Sequence, residues 1–312
     1  MKSYLPNIGA IDFLKVSDGT KIRYGVFPAE GLAVGSILLL NGHREFIEKY
    51  TEFIEDFQKR GFHVFTMDHR GQGLSDRALK NRIKSHNPDF DRIILDIQEF
   101  TQEIIRPSEL GHKVYLVAHS LGAHFALRYL HDYQRVFDKA ILLSPFTDLD
   151  HHGAIYIFAA KLYFTFMKLI GFSRAFAPKQ AQRKAMIDHE EAFSRLTHDQ
   201  DRYNRSQEAL VQNPDLFVGG GVTYGWLSGA SKSIAKIKRT GFIKNIKTKT
   251  LFILSGDEKV VNNQTRFKLI SKMHNVKVKT IEGARHELYR ESDEYRDQMW
   301  QAIDRFLYSS VK

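Results

Sequence analysis

Residues 114–130 read VYLVAHSLGAHFALRYL, and the way Ser120 sits among them decides the fold. VYLV (114–117) is a short unbroken apolar run, the pattern of a strand buried on both faces of a sheet. From Leu121 onward the apolar positions 121, 125, 127, 129 and 130 fit a helix. Ser120 therefore stands at a strand-to-helix turn, where a serine is held in a strained conformation with its hydroxyl presented and the first helical amides close by. Strand and helix can pack around such a turn only if the residues two before and two after it are small. Ala118 and Gly122 meet that condition. The bland alternative is a serine that merely opens a helix, and it requires no partners elsewhere in the chain.

Further apolar runs flank this unit: ILLL (37–40), VFTM (64–67), ILL (141–143) and LFIL (251–254). Between them, residues 46–60 carry one apolar helical stripe with Gly61 as a stop, and a second helical pattern runs from Pro88 and is expected to end at Pro107. The opening segment alternates apolar and polar residues, breaks at Ser17-Asp18-Gly19 and resumes, which predicts a hairpin. Strand and helix in alternation imply a parallel sheet with helices on both faces. The rhythm stops between about residue 150 and residue 246, where no strand is predicted. That stretch opens with AIYIFAAKLYFTFMKLIGF (154–172), whose only charges are Lys161 and Lys168. Two central lysines would cost about 2.5 to 3.5 kcal/mol each in a bilayer, so the expectation is a helix covering either the core or an acyl chain, not a membrane span.

A serine hydroxyl needs a base, and the base needs an orienting carboxylate. Downstream, LFIL is followed by SGDEKVV, which places Asp257 at the end of a buried strand, where open α/β sheets carry functional groups. The segment VKVKTIEGARHELYRES then gives an alternating strand, a glycine and His286. The order Ser120, Asp257, His286 suits nucleophile, orienting acid and base. Asp148, after the preceding strand, is the rival acid. The amide of Leu121 and that of His43, beside Gly42 in the loop after ILLL, are the expected oxyanion donors, although Asn41-Gly42 could equally be a plain turn. His151-His152 has no accompanying carboxylate at ligand spacing, so neither a metal site nor a cofactor is predicted.

The composition is that of a globular chain, with 43% apolar and 26% charged residues over 312 positions. With no cysteine, disulfides and thiolate chemistry are excluded. The first residues are broken by Pro6, Asn7 and Gly9 before an apolar leader could form, so a cytoplasmic location is expected. The net charge of +10 favours anionic partners. From Lys232 to Lys249 there are seven basic residues and no acidic one, either a solvated face or a peripheral contact with the anionic inner membrane surface. No aromatic-interleaved basic motif points to nucleic acid.

Together, LLLNGHREFIEKYTEFIEDFQKRGFHVFTMDHRGQGLSDR, VAHSLGA, LSGDEKVV and GARHEL resemble the α/β-hydrolase branch that contains bacterial lysophospholipases, monoacylglycerol lipases and serine aminopeptidase-like hydrolases. The resemblance implies an α/β-hydrolase fold, with a mostly parallel central sheet and a helical cap inserted between core strands six and seven. The expected division is core 1–149, cap 150–246 and core 247–312. In that branch MDHRGQGLS (67–75) is a structural loop after a central strand. Two positions depart from the usual pattern: Asn41 stands where many relatives have histidine, and Ala118 where most have glycine. The implied function is hydrolysis of single-acyl lipid esters, lysophospholipid first and monoacylglycerol second. The alternatives are a general esterase, a serine aminopeptidase with Glu190-Glu191 as ammonium subsite, and a non-catalytic basic membrane-binding relative.

Overall fold

The five continuous apolar runs form the interior of a single eight-stranded sheet. The computed structural model describes residues 4–108, 113–149, 154–178, 180, 189–217 and 220–308. The strands are β1 (Ala10–Lys15), β2 (Lys21–Phe27), β3 (Gly35–Leu40), β4 (Phe62–Met67), β5 (Val114–His119), β6 (Lys139–Leu143), β7 (Lys249–Ser255) and β8 (Val276–Ile281). Their spatial order is β1-β2-β4-β3-β5-β6-β7-β8. The predicted hairpin supplies the antiparallel edge: β2 runs against both β1 and β4, and every later pairing is parallel. Strands β3, β5 and β6 are buried along their whole length, which is why their sequences do not alternate.

Helices cover both faces. On one side α1 (Thr51–Lys59) and α10 (Asp293–Tyr308) pack Phe53, Phe57, Trp300 and Ile303 against β3, β4 and β7. On the other, α2 (Phe90–Phe100) and α4 (Ser120–Asp132) bury Ile93, Ile97, Phe125 and Leu127. Asp89 caps α2 by accepting from the Asp91 amide, so the helix opens at Phe90, two residues after the proline predicted to start it. It does not stop before Pro107. The chain passes through one π-turn (Thr101–Ile105) into the short α3 (Arg106–Ser108), and Pro107, which has no amide to donate, sits just past the widened turn. Gly61, at φ 81°, ends the α1 unit as expected. A short α9 (Asn263–Ile270), capped by Asn262, joins β7 to β8.

Between β6 and β7 the chain is helical: α5 (Ala154–Leu169), α6 (His189–Leu196), α7 (Gln200–Gln212) and α8 (Tyr224–Ile237). Among the described residues the only strand-like pairings here are isolated bridges, Ser85 with Val222 and Phe176 with Thr223. No helix of the described residues is long and apolar enough to cross a membrane. The described part of α5 packs Tyr163 and Phe164 on Tyr224 of α8 but leaves much of its apolar surface uncovered. Leu162, Tyr163, Phe166, Leu169 and Ile170 are all exposed, Leu169 at 78%. The basic stretch after Lys232 is partly a seam between the insertion and the core, with Lys236 on Asp91 and Lys238 on Asp148.

Two imidazoles sealed in the interior set an acid limit on this packing. Burial and the neighbouring Arg128 push His124 down to about 3, and burial pushes His69 to about 4. Both are neutral in the fold and take up protons on unfolding once the pH falls below about 6.5. Their contribution to stability is therefore present above that value and is lost as the pH falls toward their folded values. The urea midpoint should drop between about pH 6.5 and pH 4; a flat midpoint across that window would contradict the assignment.

Candidate active site

Ser120 is the first residue of α4 and has φ 50°, a left-handed conformation that a non-glycine residue adopts at a cost of order 1 to 3 kcal/mol. The strain is maintained by what surrounds it. Ala118 is fully buried in β5, and the Ser120 carbonyl accepts from the Phe146 amide at 3.0 Å. At Gly122 a Cβ would come within 2.4 Å of the Leu40 carbonyl and 2.5 Å of that of Asn41, so the first turn of α4 lies directly on the end of β3. Only glycine permits that approach, which brings the loop after β3 up to the serine.

His286 reaches Ser120 from the loop after β8, with Nε2 3.0 Å from Oγ. Its Nδ1 faces a carboxylate, and that carboxylate is Glu258, with Oε2 at 2.9 Å and Oε1 at 3.0 Å. This corrects the expectation of Asp257. The Gly256 amide still bonds the Ile281 carbonyl, but the next amide, that of Asp257, turns to the same side and bonds the Ala284 carbonyl, so the chain leaves the regular ladder after Ser255. The Asp257 side chain, 41% exposed, points outward to Lys259 at 2.8 Å, and the next residue turns inward with one more methylene of reach. The rival acid Asp148 pairs with Lys238.

Burial works to raise the Glu258 carboxyl, but His286 and Arg266 outweigh it and hold it at about 2. Glu258 also accepts from the amides of Val260 and Val261, at 2.8 and 3.2 Å, and from the fully buried Arg266 at 3.2 Å. It is thus an ionised acceptor at neutral pH, suited to a ring that must donate from Nδ1 and receive a proton on Nε2.

The expected oxyanion donors lie on the two segments that Gly122 brings together. The Leu121 amide, in the first turn of α4, has no intrahelical acceptor by geometry. In the loop after β3, the Gly42 amide is committed to Glu45, and the His43 amide follows it. The block MDHRGQGLS fixes this loop. His69 Nε2 lies 3.1 Å from the Asn41 carbonyl, and Gln72 donates to the Gly42 carbonyl at 3.0 Å and accepts from the Arg44 amide at 2.6 Å. Asn41 is fully buried, and its side-chain amide has no hydrogen-bond partner among the described residues. The His43 ring stacks on Trp226 at 4.7 Å and meets Ser85 at 3.0 Å; burial, with Arg44 beside it, keeps it neutral. His43, Leu121, Phe90, Phe125 and Trp226 share a cavity of about 20 Å³.

The insertion is stitched to the histidine loop. The Glu287 amide donates to the Leu196 carbonyl at 2.9 Å, Arg285 to the Thr197 carbonyl at 2.6 Å, and Thr197 to the Arg290 carbonyl at 2.7 Å. Glu191 is ion-paired with Arg195, and the Glu190 side chain and His151-His152 lie outside the described residues. Besides Glu258, sequence reasoning missed Glu45, His119 and Gln72. Glu258 carried a signal in simple adjacency, since glutamate can fill the same role, whereas nothing local marked the other three.

A family model described as serine aminopeptidase, S33, matches residues 32–293. Among curated proteins, the chain is 28% identical over 272 residues to "Probable lysophospholipase L2" of Haemophilus influenzae, covering 87% of this chain and 83% of that one. It is 24% identical over 277 residues to a monoglyceride lipase homolog of Monkeypox virus, covering 88% and 90%. Among solved structures, a soluble variant of monoglyceride lipase from Saccharomyces cerevisiae in complex with a substrate analog superposes with a TM-score of 0.77 at 15% identity, over 100% of this chain and 98% of that one.

Proposed function

Because the chain belongs to the serine aminopeptidase S33 family and has the α/β-hydrolase fold, we propose that it is a serine carboxylic-ester hydrolase acting on single-acyl lipids, lysophospholipid first and monoacylglycerol second. The observation that carries this reading is the 3.0 Å approach of His286 Nε2 to the hydroxyl of a serine held at φ 50°. Ser120 Oγ attacks the ester carbonyl while His286 takes its proton. Glu258 holds the ring and balances the imidazolium. The amides of Leu121 and His43 receive the oxyanion, each such donor being worth about 2.7 to 4 kcal/mol. His286 then protonates the leaving alcohol, and water, deprotonated by the same ring, releases the fatty acid and frees Ser120.

Three features favour a lipid ester. Two relatives carry names of lysophospholipid and monoglyceride hydrolases. The α5 surface exposes a ridge of Leu162, Tyr163, Phe166, Leu169, Ile170 and, just beyond, Phe172. From residue 151 to 187 the sequence has six lysines and arginines and no acidic residue. An apolar ridge with only positive flanks suits the surface of an anionic membrane, where such substrates reside. The cavity of about 20 Å³ beside the oxyanion donors has room for a water and not for an acyl chain. Chain binding on this reading requires the α8 segment with Trp226 to yield.

The test is a panel of glycerol and glycerophosphate esters from acetyl to palmitoyl, assayed below micelle-forming concentrations. Burying each methylene stabilises by about 0.8 kcal/mol, so kcat/KM should rise up to about fourfold per methylene added until the chain outgrows its site. Equal values for acetyl and palmitoyl esters would remove the lipid assignment. An aminoacyl anilide hydrolysed faster than any of them would favour the aminopeptidase reading instead.

A further inference from the structure

Behind Ser120 lies a second buried carboxylate and imidazole that the steps above do not use. His119, the last residue of β5, is 1% exposed. Its Nδ1 lies 3.1 Å from Oε1 and 3.2 Å from Oε2 of Glu45, and its Nε2 lies 3.2 Å from the carbonyl oxygen of His286. The ring thus bridges a buried carboxylate and the main-chain carbonyl of the base.

Glu45 is itself surrounded by donors. It accepts from the Gly42 amide, from the hydroxyls of Tyr50 and Tyr289, and from Lys49 at 3.4 Å. Burial would raise its carboxyl, but His119 and Lys49 outweigh burial and hold it well below the ordinary range. Lys49 bridges Glu45 to Glu287, which it meets at 2.5 Å and which also takes Arg290, while Glu258, on the far side of His286, takes Arg266. The His119 ring joins this cluster to the carbonyl of His286. At Gly42 a Cβ would lie 2.5 Å from Glu45 Oε2 and 3.1 Å from His119 Nδ1, so the loop fits closely onto the pair.

We propose that Glu45 and His119 form a buried carboxylate–imidazole pair that positions both halves of the reaction centre. The carboxylate fixes the Gly42 amide and with it the loop carrying the His43 donor. The ring, held between Glu45 and the carbonyl of His286, fixes that carbonyl and with it the base. Glu45 and His119 are positioning residues, since neither touches the reacting atoms, and the inference rests on reading Ser120 and His286 as a hydrolytic pair.

Steady-state kinetics of the full-length protein test the pair. In Glu45→Gln the side chain keeps its size and can still accept from Gly42 but presents no carboxylate to His119, so kcat for p-nitrophenyl butyrate should fall about 10- to 100-fold, with KM changed by less than about twofold. His119→Gln, which cannot bridge Glu45 and the His286 carbonyl together, should give the same split and serves if Glu45→Gln does not fold. The 15N signals of the His286 ring should move in both variants. An unchanged kcat, a loss carried by KM, or unmoved His286 signals would overturn the positioning role. A wild type that hydrolyses no ester would instead sink the hydrolase reading, while the His286 signals still report on the pair.

Discussion

Ser120→Ala should lower kcat for ester hydrolysis by about 10⁶, leaving only the slow background that binding and oxyanion stabilisation support. The magnitude follows from the role: without the hydroxyl there is no acyl-enzyme, and His286 loses the atom it approaches at 3.0 Å. Folding should survive. Alanine removes only a hydroxyl from a site that is 8% exposed, and the strained φ of 50° is imposed by β5 and α4 and not by the side chain. Steady-state hydrolysis of a p-nitrophenyl ester, with circular dichroism as the check on folding, measures the effect. A loss of less than about tenfold would mean that some other group is the nucleophile.

Glu258→Gln should cost about 10⁴ in kcat, whereas Asp257→Asn should stay within about threefold of the wild type. An amide at position 258 can present its NH₂ or its oxygen to His286 Nδ1 but not the negative charge that balances an imidazolium. At position 257 the carboxylate meets Lys259 at 2.8 Å and Arg285 at 4.0 Å on an exposed edge. Glu258→Gln should also lower stability, because it leaves the fully buried Arg266 without its carboxylate; breaking a buried pair costs about 3 to 5 kcal/mol. Urea denaturation separates that loss from the kinetic one, and assays well below the denaturation midpoint keep kcat interpretable.

Much of this architecture was legible because burial on both faces leaves an unmistakable trace. Strands β3, β5, β6 and β7 read as unbroken apolar runs, and the Ser17-Asp18-Gly19 break located the hairpin, where Gly19 takes φ 86°. The serine turn was legible through the small residues that its packing demands. What sequence could not supply was direction. It located the loop after β7 but not which of two adjacent carboxylates faces inward, since that depends on how the chain turns against the loop after β8 once it leaves the ladder at Ser255. Likewise the apolarity of residues 154–172 announced a helix, yet not that its described face looks outward. The run of lysines from 232 was legible as charge, but its pairing with Asp91 and Asp148 depends on contacts across the fold. Glu45 and His119 were invisible for the same reason, since Glu45 meets His119 across 74 residues and His119 meets His286 across 167.

The most direct test of the account is the site and rate of labelling by a fluorophosphonate, followed by mass spectrometry in the wild type, Asp257→Asn and Glu258→Gln. A hydroxyl activated by His286 and Glu258 predicts a single adduct on Ser120, forming at wild-type speed in Asp257→Asn and orders of magnitude more slowly in Glu258→Gln. An adduct on another residue, or the two variants in the reverse order, would contradict it.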